Sequence, residues 1–96
     1  MYTTIRHYQD EANDLMKQIQ PHVERLRELM HGIDGFVAYY LIDTGGGNAV
    51  TVSVFNDRAG AEESTRVAAE WVREAGLVDA VPHPPTIMQG EVALHA

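Results

Sequence analysis

Apolar and polar residues alternate from Val50 to Phe55: Val50, Val52 and Val54 fall on one side, Thr51, Ser53 and Phe55 on the other. A period of two with β-branched residues predicts a half-buried strand. Asn56-Asp57 ends it, and Asp57 is the best-placed residue to cap a helix that follows. There the period changes. Ala61, Ser64, Ala68, Trp71 and Ala75 recur every three or four residues, with Val67 and Val72 widening the stripe. This predicts an amphipathic helix that stops at Gly76. Its small residues let it approach a sheet closely.

The same two periods organise the rest of the chain. Residues Tyr2 to Gln9 predict a first strand, with Tyr2, Thr4, Arg6 and Tyr8 on one face and Thr3, Ile5 and His7 on the other. After Asp10, the spacing of Leu15, Ile19, Val23, Leu26 and Met30 gives one continuous helical face. Pro21 interrupts it, so a bend near Gln20 or two abutting helical segments are expected before the stop at His31-Gly32. Phe36 to Asp43 predicts a second strand, apolar on both faces: Phe36, Ala38, Tyr40 and Ile42 against Val37, Tyr39 and Leu41. Thr44 to Asn48, rich in glycine, predicts a hairpin. A strand rather than a helix follows these glycines, which argues against a phosphate-binding loop. Leu77 to Pro85 reads as a loop, and Thr86 to His95 as the last strand, with a bulge or close approach at Gly90.

The order is β-α-β-β-α-β over one domain, residues 1–96. Two right-handed crossovers of this kind give an α+β, ferredoxin-like plan: a four-stranded antiparallel sheet with both helices on one face. The strands are nonetheless apolar on both sides. A bare apolar sheet face marks an interface, so the second face is expected to meet its own copy in a barrel-like homodimer.

Composition narrows the functions. A net charge of −7, with one lysine and scattered arginines, argues against nucleic acid and anionic membranes as partners. An RNA-binding module of the same element order would need a basic, aromatic sheet face, which is missing. There is no cysteine for a disulfide, thiolate nucleophile or metal ligand. No histidine–carboxylate spacing suggests a metal site. No apolar run is long enough to span a bilayer, and the first residues lack a signal-peptide core. A cytoplasmic protein is expected, and the abundance of Ala and of Arg over Lys leans towards a bacterial source.

GFVAYYLID entering a glycine hairpin, then VSVFNDRAGAEES, then AAEW, resembles the dimeric α+β-barrel superfamily and within it the antibiotic biosynthesis monooxygenase (ABM)-like proteins. The resemblance covers nearly the whole chain. It implies a pocket in each subunit between the sheet and the helices. In the oxygenases of this group, polar and aromatic side chains there hold an aromatic or quinol-like substrate, which deprotonation activates towards oxygen without a bound cofactor. The superfamily also contains isomerases, dismutases and haem-degrading enzymes. The last use an asparagine on the first strand with a tryptophan and a histidine on the second helix. Here the strand offers His7 and the helix has Trp71 but no histidine, so haem degradation is not expected.

The resulting candidates are His7 and Trp71 as catalytic residues, with His22, Tyr39, Tyr40 and Asn56 around a ligand pocket. His7 has the chemistry of a base near neutral pH, and Trp71 could stack on a planar ligand. Each has a structural alternative: a core indole bonded to one acceptor for Trp71, a satisfied histidine for His7, strand propensity for the tyrosines, and capping for Asn56. Tyr39 and Tyr40 point to opposite faces, so only one of them can face the helices. Thr51 and Ser53 could contact a ligand or make interface hydrogen bonds. His83 and His95 read as exposed, and Arg6 as a partner for Glu91. The expected function is a homodimeric ABM-like protein with a small-molecule pocket, and the candidate activity is cofactor-independent monooxygenation of an aromatic or quinol-like compound. No cofactor and no metal are expected. The alternative is a non-catalytic ligand-binding or structural dimer.

Overall fold

The computed structural model describes all residues, Met1–Ala96. Strands β1 (Tyr2–Tyr8), β2 (Phe36–Gly45), β3 (Asn48–Phe55) and β4 (Thr86–Glu91) form one antiparallel sheet in the order β2-β3-β1-β4. Helices α1 (Leu15–Ile19), α2 (Val23–His31) and α3 (Arg58–Glu74) cover one face. This is the α+β, ferredoxin-like plan that the element order implies.

The helical run between β1 and β2 breaks at Pro21. A 3-10 turn, Gln20–His22, separates α1 from α2, because proline has no N–H to continue the α-helical ladder. The broken helix still presents the predicted face: Leu15, Ile19, Leu26 and Met30 are buried in one core cluster with Val67, Ala68 and Trp71 of α3. α1 begins at Leu15, the first residue of the expected face, and the residues before it are held outside the helix. Asp10 takes φ +58°, and the next residues bond to distant loops instead. Glu11 N–H donates to the Gly47 carbonyl at 3.0 Å and Ala12 N–H to the Ala80 carbonyl at 3.1 Å. These tertiary bonds delay the helix until Leu15.

The hairpin between β2 and β3 closes on Gly46-Gly47, both at positive φ, between the paired Gly45 and Asn48. That is the backbone of a tight two-residue hairpin turn, which glycine alone adopts without strain. Helix α3 starts as expected: Asp57 caps it, its side chain accepting from Gly60 N–H at 3.0 Å.

Three sequence expectations about the strands fail. A register shift between Phe36 and Ala38 inserts an extra residue at Val37, so Phe36 joins Tyr39 and Leu41 on the helix side rather than Tyr40 and Ile42. Gly90 makes no bulge. It pairs in unbroken register with Thr3, and the strand ends at Glu91, short of His95.

The face under the helices is unusually polar. β3 turns Ala49, Thr51, Ser53 and Phe55 inward and its valines outward. β1 turns Thr4 and Arg6 inward, 0% and 1% exposed. The apolar residues thus collect on the uncovered side: Ile5, Val50, Val52 and Val54, with Tyr40, Ile42 and Met88 exposed.

Candidate functional site

Arg6 lies at the centre of the covered face. Its Nη1 donates to Ser53 Oγ at 2.8 Å and Thr51 Oγ1 at 3.3 Å, and its Nη2 to Ser64 Oγ at 2.7 Å and Thr65 Oγ1 at 2.8 Å. All four partners are neutral hydroxyls, and no carboxylate pairs with it. The Ser64 hydroxyl donates to the Ala61 carbonyl at 2.6 Å, which leaves its oxygen lone pairs for the guanidinium. Arg6 Nε is buried without a partner. Burial pushes the guanidinium below its ordinary value, while Tyr39 and Tyr8 pull it back up. Arginine holds its proton even so, and the fold keeps a buried cation with no counter-charge. The expected pairing with Glu91 is absent: β4 sets Ile87 opposite Arg6, and Glu91 opposite Tyr2.

Arg6 also lines a cleft of about 400 Å³ between α3, β1 and the loop before β4. That volume falls in the range of small-molecule sites. Val72, Val81, Pro84, Pro85 and Ile87 give it apolar walls, and Tyr8, Arg73 and His83 give it polar groups. Burial raises the phenol of Tyr8, partly offset by Arg6.

Behind His83 stands Glu11, whose side chain is fully buried. One carboxylate oxygen, Oε1, accepts from His83 N–H at 2.9 Å and lies 3.5 Å from its ring Nδ1. The other, Oε2, is buried without a partner. Nδ1 also lies 3.0 Å from the Asp10 carbonyl oxygen. Two acceptors and no donor surround Nδ1, so the neutral ring carries its proton there and leaves Nε2 as the free acceptor.

The second space is a void of about 30 Å³ enclosed between sheet and helices, with room for one or two waters. Trp71, Tyr39, Leu26 and Ala68 line it. Trp71 is 6% exposed, and its indole N–H donates to the His22 carbonyl at 3.0 Å, across the break that Pro21 makes. Burial pushes the Tyr39 phenol up to about 12, with the Arg6 charge offsetting part of the rise. Tyr8, Val72 and Val81 line both the void and the cleft. On its other side the void shares Leu26, Tyr39 and Leu41 with an open groove of about 530 Å³ between α2 and β2.

Of the residues singled out from sequence, Trp71 and Tyr39 meet at the void, and His22 joins them through its backbone oxygen. The other three lie elsewhere. His7 follows the inward Arg6 and so faces the uncovered side of the sheet, beside Val50. Tyr40 is 57% exposed on that same side. Asn56 is exposed at the corner before α3, where its backbone N–H donates to the Gly35 carbonyl at 2.8 Å. Arg6, Tyr8, Glu11 and His83 were not among those candidates. Strand parity already placed Arg6 and Tyr8 on one face with Thr4. Nothing in the sequence joins Glu11 to His83, which are brought together only by the loop before β4.

No protein-family model matches the sequence, and no protein with a curated function matches it either. Solved structures do match its fold. A protein of unknown function from Nitrosomonas europaea aligns at TM-score 0.76 and 17% identity, over 99% of this chain and 91% of that one. An antibiotic biosynthesis monooxygenase aligns at TM-score 0.66 and 17% identity, over 98% of this chain and 100% of that one. A monooxygenase from the gene ActVA-Orf6 of Streptomyces coelicolor, in complex with nanaomycin D, aligns at TM-score 0.68 and 13% identity, over 99% and 91%. At these identities the likeness establishes a shared fold: the chain has the architecture of the ABM-like proteins.

Proposed function

We propose that this chain, built on the ABM-like fold, is a homodimer that binds a small aromatic or quinol-like compound beneath its sheet and oxygenates it without a bound cofactor. The observation that carries this reading is the cleft of about 400 Å³ beside β4, where apolar walls meet Arg6, Tyr8 and His83. An apolar cleft beside acid–base groups suits chemistry that begins with proton removal. A fold neighbour named as a monooxygenase was solved with nanaomycin D, which supports treating this space as a small-molecule site. Trp71 and Tyr39, at the void behind the cleft, would close its inner end.

The dimer reading rests on the outward valines of β3 with Ile5, Tyr40, Ile42 and Met88. A contiguous apolar surface of this kind is normally covered, and a two-fold axis covers it with its own copy. His7 would then sit at the subunit interface. Sedimentation should give a dimer, and Val52→Glu, placing a charge in the middle of the face, should give monomers.

One observation favours a non-catalytic binding dimer. The void around Trp71 is too small for a substrate, so Trp71 is explained by packing and its bond to His22. Oxygen uptake separates the two readings. With a panel of hydroquinones, a metal chelator and no added cofactor, the oxygenase reading expects substrate-dependent uptake. Ligand binding without uptake across the panel would favour the non-catalytic dimer.

A further inference from the structure

We infer that the cleft beside β4 selects an anionic ligand, a small hydrophobic carboxylic acid, and that Arg73 is the residue that holds its carboxylate. The inference rests on the proposed small-molecule reading of the cleft and adds the charged group of the ligand and the side chain that recognises it.

Arg73 stands apart from the other arginines of the chain. Arg25, Arg27, Arg58 and Arg66 each pair with a glutamate, and Arg6 is bonded to four hydroxyls. Arg73 is exposed, lines the cleft, and has no such partner. The glutamates nearest it on α3 are engaged elsewhere: Glu70 holds Arg66 at 2.9 Å and Glu74 holds Arg25 at 3.3 Å. In the last turn of α3 the charge of Arg73 also offsets the carbonyl end of the helix. That role leaves its planar set of N–H donors free for a ligand.

The surroundings favour an anion as well. The chain carries 14 Asp and Glu residues and a net charge of −7, yet no carboxylate lines the cleft. Glu11 lies behind His83, with its side chain fully buried. Arg6 offers the ligand no donor, because its Nη atoms are bonded within the fold and its Nε is buried. Its charge still acts at a distance, since no carboxylate pairs with it and the interior screens it little. Tyr8, on the cleft wall, registers the balance. Burial raises its phenol, and of the carboxylate and guanidinium charges acting on it, the lowering by Arg6 exceeds the raising by Glu11.

The walls select the rest of the ligand. Val72, Val78, Val81, Pro84, Pro85 and Ile87 suit an apolar body. One planar guanidinium matches one carboxylate, which it can hold by two parallel bonds. A phosphate would bring a second charge and more acceptors than these walls satisfy.

The probes are naphthoate and its uncharged counterpart naphthamide, each titrated while the backbone amides of Val72, Val81 and Ile87 are followed by NMR. Wild type should bind naphthoate at least about tenfold more tightly than naphthamide, the difference expected of one charge-assisted pair. Arg73→Gln, at an exposed position, should retain the fold and lose that preference. Its naphthoate affinity should fall about tenfold while its naphthamide affinity holds; loss of wall packing would weaken both probes alike. Arg66→Gln removes a cation of the same helix that lies outside the cleft and should leave naphthoate affinity unchanged, which separates a local bond from the effect of net charge. Equal affinity of wild type for the two probes would overturn the inference and leave the small-molecule cleft standing. So would undiminished naphthoate binding by Arg73→Gln, or an equal loss in Arg66→Gln. Failure of both probes to move the cleft amides would overturn the inference and the cleft reading together.

Discussion

Gly47→Ala tests how the hairpin supports the cleft, and Gly46→Ala is its internal control. Both glycines have positive φ, +60° at Gly46 and +81° at Gly47. An alanine in that region costs about 1–2 kcal/mol at either position. The surroundings differ. A Cβ at Gly46 would have only Asn48 Nδ2, at 4.0 Å, nearby. A Cβ at Gly47 would lie 2.5 Å from the Glu11 carbonyl oxygen and 3.0 Å from that of Ala12. Both obstacles are backbone, so no side chain can swing away. Relief requires moving the hairpin off the segment after β1, adding about 1–3 kcal/mol of overpacking. The same movement breaks the bond from Glu11 N–H to the Gly47 carbonyl, worth about 1 kcal/mol. Gly46→Ala should therefore lose about 1–2 kcal/mol and Gly47→Ala about 3–6 kcal/mol, against about 5–15 kcal/mol for a typical domain. Urea unfolding followed by the fluorescence of Trp71, the one tryptophan, reads both. Equal losses in the two variants would refute the argument that the hairpin is docked on Glu11.

Three further outcomes follow from individual bonds and charges. Trp71→Phe removes the donor to the His22 carbonyl and should cost about 1–3 kcal/mol by thermal or urea unfolding; a neutral result would mean water replaces the indole. Asp57→Ala removes the cap of α3 and should cost about 1 kcal/mol in the same assay, whereas the exposed neighbour Asn56→Ala should cost much less. Tyr39 rises from 10.0 in the unfolded chain to about 12 in the fold. Between those values the unfolded state binds fewer protons, so stability is full below pH 10 and falls as pH rises towards 12. The loss is about 2–3 kcal/mol, and Tyr39→Phe should flatten that slope in urea titrations at stepped pH; an unchanged slope would refute the assignment to Tyr39.

Much of the fold was legible because it is written in short-range patterns. The switch from period two to period three-and-a-half at Asp57 marks the β3–α3 corner, and Pro21 marks the helix break. The uncovered apolar face was legible too, since β2 carries apolar residues on both of its sides. What escaped were effects of long-range contact. The extra residue at Val37 moved Phe36 across the sheet, and no single-strand pattern shows a bulge. The bonds from Glu11 and Ala12 to Gly47 and Ala80 leave no mark in the sequence either. The site was less legible than the fold. The valines of β3 look like core residues, and the polar alternates Thr51 and Ser53 look like surface, but a buried arginine inverts that order. Four hydroxyls from β3 and α3 surround Arg6 only once the sheet is assembled. Glu11 and His83 are 72 residues apart, and their pairing depends on the path of the loop before β4.

On the proposed reading, a small aromatic or quinol-like ligand occupies the cleft beside Arg6. Heteronuclear NMR of the protein titrated with para-nitrophenol tests it most directly, because Arg6 Nε–H and the single tryptophan indole N–H are separate side-chain reporters. Arg6 Nε–H has no partner within the fold, so it should shift most, together with the amide of His83, while the amides of Tyr40 and Val52 stay still. Shifts concentrated at Tyr40 and Val52 with Arg6 Nε–H unmoved would place the ligand on the uncovered sheet face and rule out the cleft.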